Sequence, residues 1–451
     1  MKTIDLRNKD FKELEKFLLS GRNDGGDVAN IVKDIIDDVK NNGDKALIKY
    51  TEKFDQVKFE SVECFKVTRE EIEQAYKEVD SSLIDTIKRA AVNIEEFHKR
   101  QTAESFMYER EPGVKLGVLR RPVKTAGIYV PAGSAPLPSS VLMNVIPAKV
   151  AGVQNIIMAT PPRLHRRARL HGRAASIASG QAAERSVTCD PAILVAADIA
   201  GVTEIYKIGG AQAIAALAYG TQTIPKTDII TGPGNIFVAT AKKMIYGQCN
   251  IDMIAGPSEI LIIADKSANP AFIAADMLSQ AEHDKLASSI LITSQEYLAD
   301  EVKSEIARQL ELLPRKTIAE ESLENYGAVI LVSDIKQAIE ASNMVAPEHL
   351  ELCVENAEEY INEVENAGAV FLGNYSPEPL GDYFAGPNHV LPTSGTAKFF
   401  SPLNVWNFMK QTNVISYSKE ALLKNADDII RFAEAEGLGA HGASIKERVK
   451  Q

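Results

Sequence analysis

From about Gly113 onward the chain breaks into short β-branched runs that alternate with helical segments, and this rhythm constrains the architecture more than any other feature. Ala126–Val130, Asn155–Ala159, Glu204–Ile208 and Asp228–Thr231 read as strands. Between most of them lie helix candidates at Ser140–Val150, Pro191–Ala200, Ala211–Tyr219 and Ile236–Ile245. The alternation resumes with strands at Ile260–Ala264, Ser289–Thr293, Ala328–Val332 and Val370–Leu372. Such a pattern predicts parallel sheets covered by helices on both faces, because parallel neighbours need a crossover long enough to hold a helix.

The first hundred residues read as helical. In Asp27–Lys40 the apolar residues Val28, Ile31, Val32, Ile35, Ile36 and Val39 follow helical spacing. The fold class expected is therefore α/β: two Rossmann-like parallel-sheet domains with a helical N-terminal region and a helical C-terminal tail. The division expected is an N-terminal helical segment over 1–25 and a discontinuous first α/β domain over 26–125 and 258–380. A second α/β domain, 126–257, is inserted into the first, and residues 381–451 form a C-terminal region and tail.

At 451 residues the chain has material for roughly three domains. Its 45% hydrophobic and 25% charged residues are those of an ordinary globular protein, and its net charge of −11 argues against a general nucleic-acid role. Cys64, Cys189, Cys249 and Cys353 are scattered without CxxC spacing, which disfavours a disulfide framework or a cysteine zinc site. Met1–Arg7 lacks the apolar core of a signal peptide, and no apolar run approaches the roughly 20 residues of a membrane span. These features predict a cytoplasmic protein without membrane or nucleic-acid partners.

One segment departs from the texture. Arg163–Cys189 holds six arginines and no lysine, and it fills a strand-to-helix connection that normally takes about two to six residues. His165 and His171 are six apart in it, which suits neither of the helical spacings that place two metal ligands on one face. It reads as a dispensable surface insertion, either a short exposed helix or poorly ordered.

Chemistry concentrates in four segments. Ala346-Pro347-Glu348-His349-Leu350 sets a carboxylate beside an imidazole, and Pro347 suits the first position of a helix, which would put both near a helix mouth. Adjacent residues splay apart, so each could serve a separate proton transfer, although a helix start favouring Glu348 would look the same. Gln280 and His283 are three apart on a helix opening near Pro270 and can offer an amide oxygen and an imidazole nitrogen to a metal. Asp382 lies in a loop shaped by Pro377, Pro379 and Gly381, where an aspartate can equally form an Asx-turn. His441, after Gly437 and Gly439, reads as a loop residue of the tail. For a dinucleotide the signal is thinner: no GxGxxG follows a strand, but glycine turns precede helices at Ile208-Gly209-Gly210-Ala211-Gln212 and Gly232-Pro233-Gly234-Asn235.

Together these segments resemble the histidinol dehydrogenase family. The resemblance extends to Gly127–Pro131, Gly209–Ala218, Ala255-Gly256-Pro257-Ser258-Glu259, Ser279–Asp284, Gly386–Thr393 and Glu436–His441, and runs from the N-terminal helices to the last histidine outside the arginine-rich segment. It implies a homodimeric, zinc- and NAD-dependent oxidoreductase that converts L-histidinol to L-histidine through the aldehyde, in two hydride transfers. It further implies that Gln280, His283, Asp382 and His441 hold zinc, with His441 supplied to the partner subunit. Ser258, Gln280, His283, His349, Asp382, Glu436 and His441 would contact substrate, and Tyr129, Gln212 and Asn235 would contact NAD. Glu348 would activate water and His349 would act as base. These ligands with two substrate nitrogens imply six-coordination, against the tetrahedral zinc norm. Other readings are a zinc dehydrogenase of another amino alcohol, a zinc-dependent hydrolase that forms no NADH, and a non-catalytic binding protein.

Overall fold

The computed structural model describes residues 1–8, 11–20, 26–132, 136–166 and 185–450. Contacts divide it into one unit of Met1–Gln101 with Lys124–Phe408 and another of Thr102–Val123 with Met409–Gln451.

The larger unit holds two parallel sheets. The first has six strands in the order Lys2–Asp5, Ala328–Leu331, Ser288–Thr293, Glu259–Ala264, His349–Cys353 and Ala369–Leu372. Its central strand shows why the sheet is covered on both sides. Leu261 and Ile263 enter one apolar core, while Ile260, Ile262 and Ala264 enter the other, as the two-residue period of a strand requires. The second sheet has five strands in the order Asn250–Ile251, Ile229–Thr231, Thr125–Tyr129, Asn155–Thr160 and Glu204–Lys207. The expected α/β architecture is present, with helices Pro138–Ala151, Pro191–Ala200, Gly210–Tyr219 and Ile236–Ile245 at the anticipated places.

Three expectations are corrected. The N-terminus opens with a strand, not a helix: Lys2–Asp5 pairs with Ala328–Leu331, and Ile4 turns inward between exposed Thr3 and Asp5. Four residues carry too short an alternation to be distinguished from noise. Secondly, helices Gly26–Asn42 and Asp44–Asp55 do not join the 258–380 block. Val32, Ile36, Leu47 and Tyr50 share a core with Tyr206, Ile214, Leu217 and Ile230, where the small side chains of the alanine-rich helix Gly210–Tyr219 admit a close neighbour. Thirdly, the arginine-rich segment begins and ends as an antiparallel ribbon of Arg163–Arg166 with Arg185–Thr188, and not as a helix. Arg163 anchors its base through a 2.6 Å ion pair with Asp190, the N-cap of Pro191–Ala200. The rest of that expectation, His171 included, falls on residues 167–184, outside those described.

The smaller unit is a three-stranded antiparallel sheet, Met409–Tyr417, Val114–Pro122 and Phe106–Glu111, with helices Lys419–Ala435 and Gly439–Val449. The tail is helical from Lys419 as expected, with strand Met409–Tyr417 ahead of it. Among the described residues no helix is long and apolar enough to cross a membrane.

One buried histidine in the larger unit ties stability to pH. His98, near the end of helix Ser81–Lys99, has no exposed surface. Its Nδ1 donates to the Gln101 amide oxygen at 2.7 Å, and its Nε2 accepts from Asn388 at 3.3 Å. Burial lowers its pKa, opposed in part by the Gln101 bond. The folded chain therefore refuses a proton that the unfolded chain accepts below about 6.5, so this contribution is whole above that pH and is lost as the pH falls toward the lowered value. The melting-temperature advantage of the native chain over His98→Asn should shrink between pH 7.5 and 5; a constant difference would remove His98 as the cause.

Candidate active site

Helix Ile335–Val345 stops because Ala346 takes a left-handed conformation (φ 53°), and Pro347 follows. His349 then opens a strand. Glu348 and His349 are therefore not at a helix mouth, which corrects the expectation. The reason is burial on both faces: all five residues of His349–Cys353 are buried between the strands Glu259–Ala264 and Ala369–Leu372, and such a run shows no alternation.

The pair grips the backbone of one residue from both sides. A Glu348 carboxylate oxygen accepts the Glu259 N–H at 2.9 Å, while His349 Nδ1 lies 3.0 Å from the Glu259 carbonyl oxygen. A carbonyl only accepts, so Nδ1 carries the hydrogen and Nε2 keeps its lone pair. That Nε2 is buried without a hydrogen-bond partner. Burial pushes the His349 pKa down to about 4, against the pull of the Glu259 carbonyl, leaving the ring neutral at ordinary pH. Burial pushes Glu348 the opposite way, well above the carboxylate range, with the Glu259 N–H resisting. Neighbouring groups driven apart in this manner suit two different proton transfers.

Asp382 sits on a short helix, Glu378–Tyr383, not in a loop. Pro379 in the first turn has no N–H to leave unsatisfied, so the prolines that suggested a loop start a helix instead. A Cβ on Gly381 would come within 2.7 Å of the Phe371 ring, so glycine lets this helix lie close to the sheet. Asp382 Oδ1 stands 4.0 Å from His349 Nε2 and 3.6 Å from His389 Nδ1, and the Asp382 carbonyl accepts from that Nδ1 at 3.0 Å. Atoms of His349, Glu378 and Asp382 capable of ligation lie within 4.8 Å of one another. Burial raises Asp382 to about 6 and Glu378 to about 8, the latter also facing the Asp382 charge, and it lowers His389 to about 4.

Gln280 stands in the last turn of helix Pro270–Ala281, and His283 lies just beyond its end. His283 continues the turn, its N–H reaching the Gln280 carbonyl at 3.2 Å, and is exposed, close enough to His349 and Glu378 to act on their ionisation. Gln280 is wholly buried with neither amide atom hydrogen-bonded. An amide with both ends orphaned is costly in a core, and its oxygen is a neutral donor suited to a metal. Ser258 immediately precedes the Glu259 strand, its carbonyl accepting from Ser288 at 3.0 Å. Glu436 and His441 belong to the smaller unit and are exposed; His441 lies on helix Gly439–Val449, not in a loop.

The three cofactor candidates occupy one end of the second sheet. Tyr129 closes its strand, and its hydroxyl accepts the Gly210 N–H at 3.1 Å. Gln212 is buried with its Oε1 unpartnered. Asn235 caps helix Ile236–Ile245, its Oδ1 accepting from Phe237 at 3.1 Å and Val238 at 3.2 Å. Gly232 has φ 124°, and a Cβ there would strike the Tyr129 carbonyl oxygen. Bare glycine turns opening two helices fit a pyrophosphate-bearing ligand, and the orphaned Gln212 Oε1, an acceptor, suits a hydroxyl or amide donor of such a ligand.

Sequence reasoning assigned no role to Glu378 or His389. The signal available was weak: each is a polar residue in a Pro- or Gly-rich stretch, and only folding shows Glu378 buried and His389 partly buried beside Asp382.

Known proteins resemble this chain along nearly its whole length. The family model described as histidinol dehydrogenase matches residues 20–449. A histidinol dehydrogenase of Clostridium acetobutylicum is 54% identical over 427 residues, covering 95% of this chain and 94% of that protein. One from Geobacter sulfurreducens is 48% identical over 451 residues and covers 100% of both. The crystal structure of histidinol dehydrogenase from Elizabethkingia anophelis superposes with a TM-score of 0.89 at 40% identity, covering 100% of this chain and 98% of that one.

Gln280 supplies a test. In excess chelator, Gln280→Leu should be more stable than the native chain by about 1–3 kcal/mol, the usual cost of a buried unsatisfied group. It should also retain less metal after dialysis. A lower melting temperature in chelator would mean the amide serves the protein and not a ligand.

Proposed function

Because the chain belongs to the histidinol dehydrogenase family, and is thereby an oxidoreductase of histidine biosynthesis, we propose that it converts L-histidinol through L-histidinaldehyde to L-histidine in two NAD-dependent steps. The observation that carries this reading is the neutral, buried His349 with an unpartnered Nε2 beside Asp382. Gln280, His283, Asp382 and, from the partner subunit of a homodimer, His441 would hold zinc. Tyr129, Gln212 and Asn235 would hold NAD. When bound, NAD⁺ accepts the hydride in each half and zinc fixes the imidazole and amine of the substrate, a positioning and not a redox role.

The residues of the chain account for the proton movements. His349 takes the alcohol proton at Nε2 as the C–H bond breaks, yielding the aldehyde. Glu348, whose buried carboxylate is a stronger base than an exposed one, removes a proton from water as it adds to the aldehyde, while His349 returns its proton to the aldehyde oxygen, giving the hydrate and a neutral ring. His349 then takes a hydroxyl proton from the resulting hydrate during the second oxidation. Ser258, Gln280, His283, His349, Asp382, Glu436 and His441 orient the substrate. No cysteine competes as nucleophile: Cys353, on the same strand as His349, is buried and its thiol is pushed far up.

Incubating protein, histidinol and excess NAD⁺ should yield about two NADH per histidinol, one per hydride transfer. Release of one would stop the reading at the aldehyde, and none would return the zinc-hydrolase alternative. His349→Ala should lower turnover by about 10²–10⁴-fold, the span for losing a general base. Glu348→Gln should impair oxidation of added aldehyde more than that of the alcohol. Small, equal losses would sink both roles.

The exposed position of His441 supports its donation to a partner. Mixing inactive His441→Ala and His349→Ala chains under subunit exchange should restore activity, since one site of the heterodimer escapes both defects. Verified heterodimers without recovery would place His441 in the site of its own subunit.

A further inference from the structure

The turn ahead of Asn235 is held by a charged pair that the mechanism does not use. Lys242, on helix Ile236–Ile245, and Asp252, just beyond strand Asn250–Ile251, form an ion pair with side chains only 3% and 0% exposed. Such a pair has lost its hydration, and the attraction between the charges offsets that loss only if their other hydrogen-bonding positions are filled. Here they are filled from one place. Lys242 Nζ donates to the Gly232 carbonyl at 2.9 Å, and Asp252 Oδ2 accepts the Gly232 N–H at 2.8 Å. The second Asp252 oxygen, besides meeting Lys242, accepts the Met253 N–H at 2.6 Å.

Both polar groups of Gly232 are thus bound by opposite ends of one ion pair. The residue has φ 124°, a conformation that L side chains rarely adopt and that a free glycine would readily leave. Three residues later the same turn delivers Asn235, whose Oδ1 is spent on capping the helix that carries Lys242. The helix therefore reaches back one face to lock the turn that starts it.

We propose that Lys242 and Asp252 are positioning residues for the dinucleotide: their ion pair holds the Gly232–Asn235 turn in its binding conformation before the cofactor arrives. This rests on the reading that Asn235 contacts NAD. A pre-set turn loses less freedom on binding, so its contribution falls on cofactor affinity. The chemistry at His349 and Glu348, on the other sheet, does not depend on it.

Two variants separate this role from plain stability. Replacing both charges at once, Lys242→Met with Asp252→Leu, removes the clamp without stranding a charge, a kind of exchange that often preserves folding. Lys242→Met alone keeps both N–H bonds of Asp252 and serves where the double variant does not fold. NADH titration followed by fluorescence should show binding weakened by about tenfold or more, roughly 1.4 kcal/mol. KM for NAD should rise with it, while kcat and KM for histidinol stay within about twofold. Lys242→Arg, which can still donate to the Gly232 carbonyl, should recover most of the affinity. Folded variants that bind NADH as tightly as the native chain would overturn the proposal, as would an equal fall in kcat without a change in affinity. A native chain that oxidises nothing and binds no NADH would instead overturn the cofactor reading itself.

Discussion

The geometry of the candidate site depends on how the backbone of one residue is held on both sides. The Glu259 N–H and C=O are claimed by two consecutive side chains of the neighbouring strand, Glu348 and His349. Because strands 259–264 and 349–353 run parallel in register from Ile260 and His349, the two partners are fixed by the sheet itself. The backbone thereby decides the tautomer of the imidazole, and so which nitrogen is left to meet a substrate. Tertiary hydrogen bonding to main chain cannot drift as a flexible side-chain partner would, and a base positioned in this way needs no second acid to orient it.

The two sheets place their candidate residues at opposite ends of their strands. Tyr129, Gly209 and Gly232 follow the carboxyl ends of strands in the second sheet, the usual location for a ligand in an open parallel sheet. Glu259 and His349 instead begin theirs, at the amino edge of the first sheet. Around both ends sit buried atoms without hydrogen-bond partners, among them Gln212 Oε1, both amide atoms of Gln280 and the His349 Nε2. Each lowers the stability of the empty fold by about 1–3 kcal/mol, a cost that bound ligands offset.

Where local pattern and tertiary environment agree, the fold was legible in the sequence. Helices Pro191–Ala200 and Ile236–Ile245 carry their boundaries in Asp190-Pro191 and Asn235, which cap them as those residue types do elsewhere. Strand His349–Cys353 was not legible, because burial on both faces erases alternation and a proline beforehand imitates a helix start. Edge strand Lys2–Asp5 was too short to register. At the site, Glu348, His349 and Asp382 were found from their neighbours in sequence, and the structure brings them together. Glu378, His389 and the Lys242–Asp252 pair became visible only through packing, since a buried charge and a solvated one look alike in a string of letters. Glu436 and His441 belong to the smaller unit, and no pattern within one chain specifies a partner for them.

The ribbon of Arg163–Arg166 with Arg185–Thr188 has a practical consequence. Paired antiparallel strands deliver their ends side by side, about 5 Å apart. The cost of closing whatever lies between them grows only logarithmically, by about 0.6 kcal/mol for each doubling of length. Below the ribbon, the Arg163–Asp190 contact and the capped helix form a base that length changes above do not reach. The two strand ends are therefore a port in the scaffold, where splicing in a fluorescent domain, an affinity tag or a tether to a neighbouring enzyme is expected to leave both sheets in register.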